Sequence, residues 1–255
     1  MRKPVLLMAL ALAGYGPAMA QYAPAPPKPQ VRGQEHYTGC LALAGSNPAQ
    51  AKRAAENWQK NGGAEAASHC LGVALLNLGQ YKKAARLLTD TASKSQIKHP
   101  GLRANMFAQA ANAWIIAGDD ARAAGLLNQS IALAPKEPDY RIDRAIALAS
   151  QGKDWEALDD LNEAITIAPG RVDALTFRAS AWRRVGSMDL AAQDAEKALS
   201  LRPDYPEALL ERGLIRAAAG DVTGARADWQ HILRIAVEGP LTDAARRNLK
   251  RLDGR

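Results

Sequence analysis

The sequence predicts an all-α fold, a solenoid of antiparallel helix pairs stacked in a fixed register. Three observations predict it. Gly118, Gly152, Gly186 and Gly220 recur every 34 residues, and Ala123, Ala157, Ala191 and Ala225 keep the same step, as do Pro135, Pro169 and Pro203. Alanine and leucine dominate, a composition that favours helix. No Val/Ile/Thr run alternates with the period of two that a strand requires. A fixed period of 34 with small residues and a closing proline at constant phase marks a repeat array, which is one continuous stacked body rather than a set of independent domains.

The elements follow in order. Residues 1–20 read as a secretory signal: Arg2 and Lys3 precede an apolar run from Val5 to Ala13, and Ala18-Met19-Ala20 fits a small-x-small cleavage site. The alternative is a retained anchor, but the run is too short to span a bilayer. The expected mature chain starts at Gln21, carries no stable transmembrane segment and resides in a bacterial periplasm. Residues 21–34 are a Pro-rich linker without a packing face. Residues 36–62 form an irregular helical pair; Asn47-Pro48 opens its second helix as N-cap and first helical residue. Regular repeats occupy 65–239, about five of them, with a longer joint from Ser93 to Gly101. Pro240 breaks the chain, and Leu241 to Leu252 reads as a closing helix with a polar outer face, which a stacked array needs at its open end.

Charge is uneven: net +7 over residues 21–103, −4 over 104–205 and +2 over 206–255. Export and the acidic middle argue against a nucleic-acid partner. Cys40 and Cys70 are the two cysteines. In an exported chain an even count invites a disulfide, and the two would lie on neighbouring first helices; two independent buried thiols are the alternative.

The units resemble the tetratricopeptide repeat. The resemblance rests on a small residue in the first helix (Gly72, Ala111, Ala145, Ala179, Gly213) and a bulky one three residues on (Leu75, Trp114, Leu148, Trp182). A turn glycine (Gly79, Gly118, Gly152, Gly186, Gly220) and an early second-helix alanine (Ala84, Ala123, Ala157, Ala191, Ala225) complete it. The last unit departs from this pattern at Arg216, where a bulky residue is expected, and at Ile232, where a small one is. The family implies a right-handed superhelical solenoid and a non-enzymatic scaffold that binds a protein or peptide in a concave groove lined by first helices. Carried over by phase, that groove comprises His69, Asn77, Asn105, Asn112, Asp139, Asp173, Thr176, Arg183, Arg184 and Glu207. Arg183-Arg184 is the expected carboxylate clamp, because guanidinium groups bind carboxylates bidentately; a solvated helix end is the alternative. A docking role in a cell-envelope complex, through the convex face and the closing helix, is a second expectation.

Arg144, Arg178 and Arg212 also recur every 34 residues, each with an aspartate 16 residues on: Asp160, Asp194 and Asp228. Earlier units replace both members together, by Ala110 with Leu126 and by Leu71 with Leu87. Joint replacement is what a structural ion pair between facing helices should show, since removing one partner strands a charge. No catalytic residue, cofactor or metal site is expected. The four histidines lack ligand spacing, no phosphate loop or nucleophile elbow is present, and adjacent His69 and Cys70 point about 100° apart on a helix.

Overall fold

The computed structural model describes residues 31–94 and 97–254; residues 1–20, read above as a secretory signal, and most of the stretch read as a Pro-rich linker lie outside them. The described residues form thirteen helices and no strand. In chain order they are α1 (Val31–Ser46), α2 (Pro48–Lys60), α3 (Ala64–Asn77), α4 (Tyr81–Ser93), α5 (Pro100–Ile116) and α6 (Asp120–Leu133). They continue with α7 (Pro138–Ser150), α8 (Asp154–Ile167), α9 (Val172–Arg184), α10 (Met188–Leu201), α11 (Pro206–Ala218), α12 (Val222–Ile235) and α13 (Pro240–Asp253). The described residues divide into two compact units, a front unit to Asp143 and a rear unit from Arg144, with the division falling in the sequence of α7. None of the described helices is long and apolar enough to cross a membrane.

Helix boundaries follow local chemistry. The Asn47 side chain accepts from the Gln50 N–H at 3.1 Å, with Pro48 in the first turn, so the expected N-cap is in place. Asp119 and Asp221 cap α6 and α12 in the same way. Two boundaries differ from expectation. Helix α1 starts at Val31, inside the stretch assigned to the linker, because no proline follows Pro29 to stop it. The joint after α4 is shorter than expected: His99 accepts from the Leu102 N–H at 3.2 Å, and Pro100 starts α5.

The turn glycines explain why each hairpin closes tightly. Gly79, Gly118, Gly152, Gly186 and Gly220 all have φ between 70° and 88°, a region that costs any L-residue with a Cβ. The residue after each returns its N–H to the carbonyl of the bulky position, as in Asp119 to Trp114 at 2.9 Å and Ser187 to Trp182 at 2.9 Å. This closes the last turn of the first helix in a Schellman-type cap.

Packing between the two helices of a hairpin depends on the small first-helix residue. A Cβ on Gly213 would collide with the indole of Trp229, and one on Gly72 with the Leu88 side chain. Both partners are buried, Trp229 at 2% and Leu88 at 0% exposure. Where the small residue is Ala179, the facing residue is only Ala195, and Ile215 of α11 and Trp182 of α9 pack into that cluster. Size is thus exchanged across the contact, a smaller residue on one helix facing a larger one on the other or two small ones meeting. The unexpected Ile232 is fully buried against Ala244 and Ala245 of α13, so the bulky side chain fills the space before the closing helix.

Cys40 and Cys70 are joined in a disulfide that ties α1 to α3 over a separation of 30 residues. Chain-entropy arguments give such a link about 3–4 kcal/mol. Replacing both cysteines by serine should lower the denaturation free energy of the oxidised protein by about that amount. Chemical denaturation with and without reductant measures it, and an unchanged midpoint would remove the disulfide as a stabilising element.

Candidate functional site

The groove residues were expected on the first helices. In the front unit these are α1, α3, α5 and the start of α7; in the rear unit they are α9, α11 and α13, with the rest of α7. The side chains at the expected positions divide into those tied to a neighbouring helix and those open to solvent.

His69 is 1% exposed. Its Nε2 lies 2.9 Å from Gln109 Oε1 on α5, and its Nδ1 is bonded to the Tyr37 hydroxyl of α1. The glutamine oxygen can only accept, so Nε2 carries the proton and Nδ1 accepts from tyrosine. The neutral ring uses one donor and one acceptor and satisfies both. Burial pushes the His69 pKa down to about 4, with the Gln109 hydrogen bond acting weakly the other way. Asn112 donates to Asp143 at 3.0 Å. Asn77 is exposed, and its amide reaches back to the Ala44 carbonyl at 2.9 Å. Asn105 is 6% exposed, within the front unit's interior. Asp139, in the first turn of α7, is half-exposed.

In the rear unit Thr176 is buried and spends its hydroxyl on the Val172 carbonyl at 2.7 Å. Arg183 is ion-paired with buried Glu211 of α11. Arg184 lies 2.8 Å from Asp154 and donates to the Ala149 carbonyl at 2.8 Å. The two arginines do bind carboxylate, but the carboxylates belong to this chain. Asp173 is held by Arg171 through contacts of 3.0 and 2.6 Å. Glu207 is half-buried, and burial raises its pKa, opposed by Arg202. Tyr205 lies near both: burial, then the charges of Glu207 and Asp173, raise its hydroxyl pKa. Arg202 stacks over the Tyr205 ring at 5.0 Å. Asp173, Glu207, Tyr205, Arg171 and Arg202 thus make one mixed-charge patch at the starts of α9 and α11.

One regularity escaped sequence reasoning. Gln109, Asp143 and Glu211 occupy one phase of the first helix, and Phe177 fills the fourth place at that phase. Each of the three polar residues accepts from the preceding first helix: from His69, Asn112 and Arg183 respectively. With the five-residue insertion counted, Cys70 holds the same phase, and it is bonded to Cys40 of α1. Neighbouring first helices are therefore stitched at a constant level by varied chemistry. The 34-residue alignment of polar residues carries the signal, but the donors come from different phases and so do not repeat.

The Arg–Asp series is seated between the helices of each hairpin. Arg144 Nε donates to Asp160 Oδ2 at 2.7 Å and Nη2 to Oδ1 at 2.5 Å. Arg178 makes the same fork to Asp194 at 2.7 Å twice, and reaches Asn162 at 2.9 Å. Arg212 forks Asp228 at 3.0 and 2.6 Å. The aspartates are at most 7% exposed. In the last unit Arg216 adds a second guanidinium, 2.9 Å from Asp228, which accounts for an arginine at a bulky position. Bidentate geometry and burial on the carboxylate side give these pairs a positioning role between helices. Among the described residues, no group of three His, Cys, Asp or Glu side chains could hold a metal ion.

Two expectations about stability follow. Arg178→Ala should cost about 2–3 kcal/mol, because it leaves the Asp194 carboxylate buried and unpaired. Arg178→Leu combined with Asp194→Leu should cost less, and equal or greater loss in the double variant, measured by urea denaturation, would contradict the structural role. His69 adds a pH dependence. Its folded pKa lies below its unfolded value near 6.5, so its contribution is complete above that value and is lost as pH falls toward about 4. The loss should reach roughly 3 kcal/mol. His69→Gln should flatten that part of the stability–pH profile, and parallel profiles for the two proteins would exclude it.

Comparison with known proteins places this geometry. Residues 117–172 and 178–236 match the family model of the tetratricopeptide repeat. No match to a curated protein sequence was found. Among solved structures, a thermophilic tetratricopeptide-repeat (TPR) protein of Thermus thermophilus is 19% identical with a TM-score of 0.59, covering 73% of this chain and 100% of its own. MamA from Desulfovibrio magneticus is 17% identical with a TM-score of 0.59, covering 68% and 96%. YrrB, described as a TPR protein with an unusual peptide-binding site, is 13% identical with a TM-score of 0.55, covering 75% and 96%. These likenesses are likenesses of fold. Together with the matched segments they show an all-α solenoid of helix pairs, in which residues 117–172 and 178–236 are similar to the tetratricopeptide repeat.

Proposed function

We propose that this protein is an exported, non-enzymatic scaffold that holds a segment of a partner protein against its first helices. The observation that carries this reading is the mixed-charge patch of the rear unit. Asp173 and Glu207 stand half-exposed with Arg171, Arg202 and the Tyr205 ring, and together they offer donors, acceptors and an aromatic face. An extended peptide, whose backbone groups need partners along its length, suits such a surface. The buried groove candidates, His69, Asn105 and Thr176, support the helices from behind, and Arg183 and Arg184 fix the register of α9. In the front unit the corresponding exposed positions are Asn77 and Asp139. The signal-like residues 1–20 and a disulfide at Cys40–Cys70 support export to an oxidising compartment such as a bacterial periplasm.

A second reading, a subunit that docks into an envelope complex by the opposite surface, has its own observation. Trp155, Met188, Leu190 and Val222 begin successive second helices of the rear unit and are 63%, 38%, 42% and 44% exposed. Crosslinking of the mature protein in its own cell envelope, followed by pull-down, separates the two. Asp173→Ser with Glu207→Gln should reduce partner recovery about tenfold at unchanged melting temperature, the loss of one or two charged contacts. Trp155→Ser with Leu190→Ser should leave recovery intact. The reverse pattern would establish docking by the second helices, and full recovery in both variants would reject the first-helix reading.

A further inference from the structure

The C-terminal end of the rear unit holds a cavity of about 370 Å³ between α11, α12 and α13. Leu214, Ala217 and Ala218 come from α11, Trp229 from α12, and Asn248, Arg251 and Leu252 from α13. Its walls are apolar except on α13. Asn248 is 8% exposed, and no hydrogen bond engages its side chain among the described residues. Asn248 lines the cavity, so its amide donor and acceptor are available to a ligand there. The Trp229 indole is committed to the Leu210 carbonyl, so the amide is the polar group on offer inside. Arg251 stands exposed at the rim and takes part in no ion pair among the described residues, whereas Arg246 and Arg226 nearby are paired with Glu238 and Asp253.

We propose that this cavity is a docking site for an extended, acidic segment of a partner protein, anchored by one large apolar side chain beside a carboxylate. Each part of the lining selects a part of that ligand. The apolar walls take the side chain. A primary amide is both donor and acceptor, so Asn248 complements a peptide group of the ligand, and an extended segment has such groups free where a helix does not. Arg251 takes the adjacent carboxylate in a fork. A simple fatty carboxylate would satisfy the walls and the arginine but leave the amide unmatched. The site lies at the array's end, apart from the Asp173–Glu207 patch, so either can fail without the other.

The test is a titration of the ¹⁵N-labelled intact mature protein with the peptide acetyl-Gly-Leu-Glu-Gly-amide, followed at the Trp229 indole and Asn248 side-chain signals. Saturable shifts at both are expected. Replacing Glu by Gln, or Leu by Ala, in the peptide should weaken binding about tenfold each, as expected for one charged hydrogen bond or one buried side chain. Arg251→Ala should remove the Glu–Gln distinction. Ala218→Trp fills the cavity from an exposed position, so it should abolish binding while leaving the melting temperature unchanged. The proposal is overturned if these signals do not move at millimolar peptide, or if the Leu and Ala peptides bind equally. It is also overturned if Ala218→Trp binds normally, if octanoate saturates the site where the peptide does not, or if the signals shift only with self-association.

Discussion

Close approach of the two helices in each hairpin is the constraint on which the rest of this structure depends. It occurs where Gly72, Ala111, Ala145, Ala179 or Gly213 leaves room for a side chain of the second helix, and at Gly72 and Gly213 even a methyl group would collide. The contact sets a 16-residue offset between facing positions. The residue just before each small one faces the residue just before its partner, which is why Arg212 meets Asp228 next to the Gly213–Trp229 contact. Charge enters the hairpin at a level where packing has already fixed the distance. A guanidinium can then make a two-point fork without losing much further side-chain freedom.

Between hairpins the structure uses a second level of contact. Cys70, Gln109, Asp143 and Glu211 stand at one phase of the first helices, and each joins a different partner on the helix before it. The chemistry runs from a covalent bond through neutral and charged hydrogen bonds to an ion pair. What stays constant is the position. This bears on the proposed function, in which a partner segment lies against the first helices. In that reading the polar groups of the first helices are divided between holding the array together and meeting a ligand. A charge buried near the helix axis, such as Glu211, requires an internal partner; one at a helix start, such as Glu207, can remain partly solvated.

The packing around α13 differs from that within the preceding hairpins. At the C-terminal end Ile232 and Trp229 enlarge the core toward α13, and Arg216 joins the last ion pair where a repeat would carry an aromatic or leucine. These changes accommodate α13, which packs as a single helix against α12. The cavity beside Asn248 lies where the small alanines of α11 face the side chains of α13.

The sequence by itself determined the helical hairpins, their order and their period. Glycines with positive φ, closing prolines and small residues act locally, within one hairpin, and their spacing is visible along the chain. The Arg–Asp pairs were legible for the same reason, since both members repeat. The roles of His69, Arg183 and Arg184 were decided only by tertiary structure. Their partners Gln109, Glu211 and Asp154 sit about 30 to 40 residues away, at separations that differ from one interface to the next, so no period reveals them. Arg183 and Arg184 were read as open to a partner's carboxylate because a helical face in sequence carries no record of the neighbouring helix. Whether a charged side chain is a ligand or a fastener depends on what lies across the interface, and burial there requires that its charge be matched within the fold.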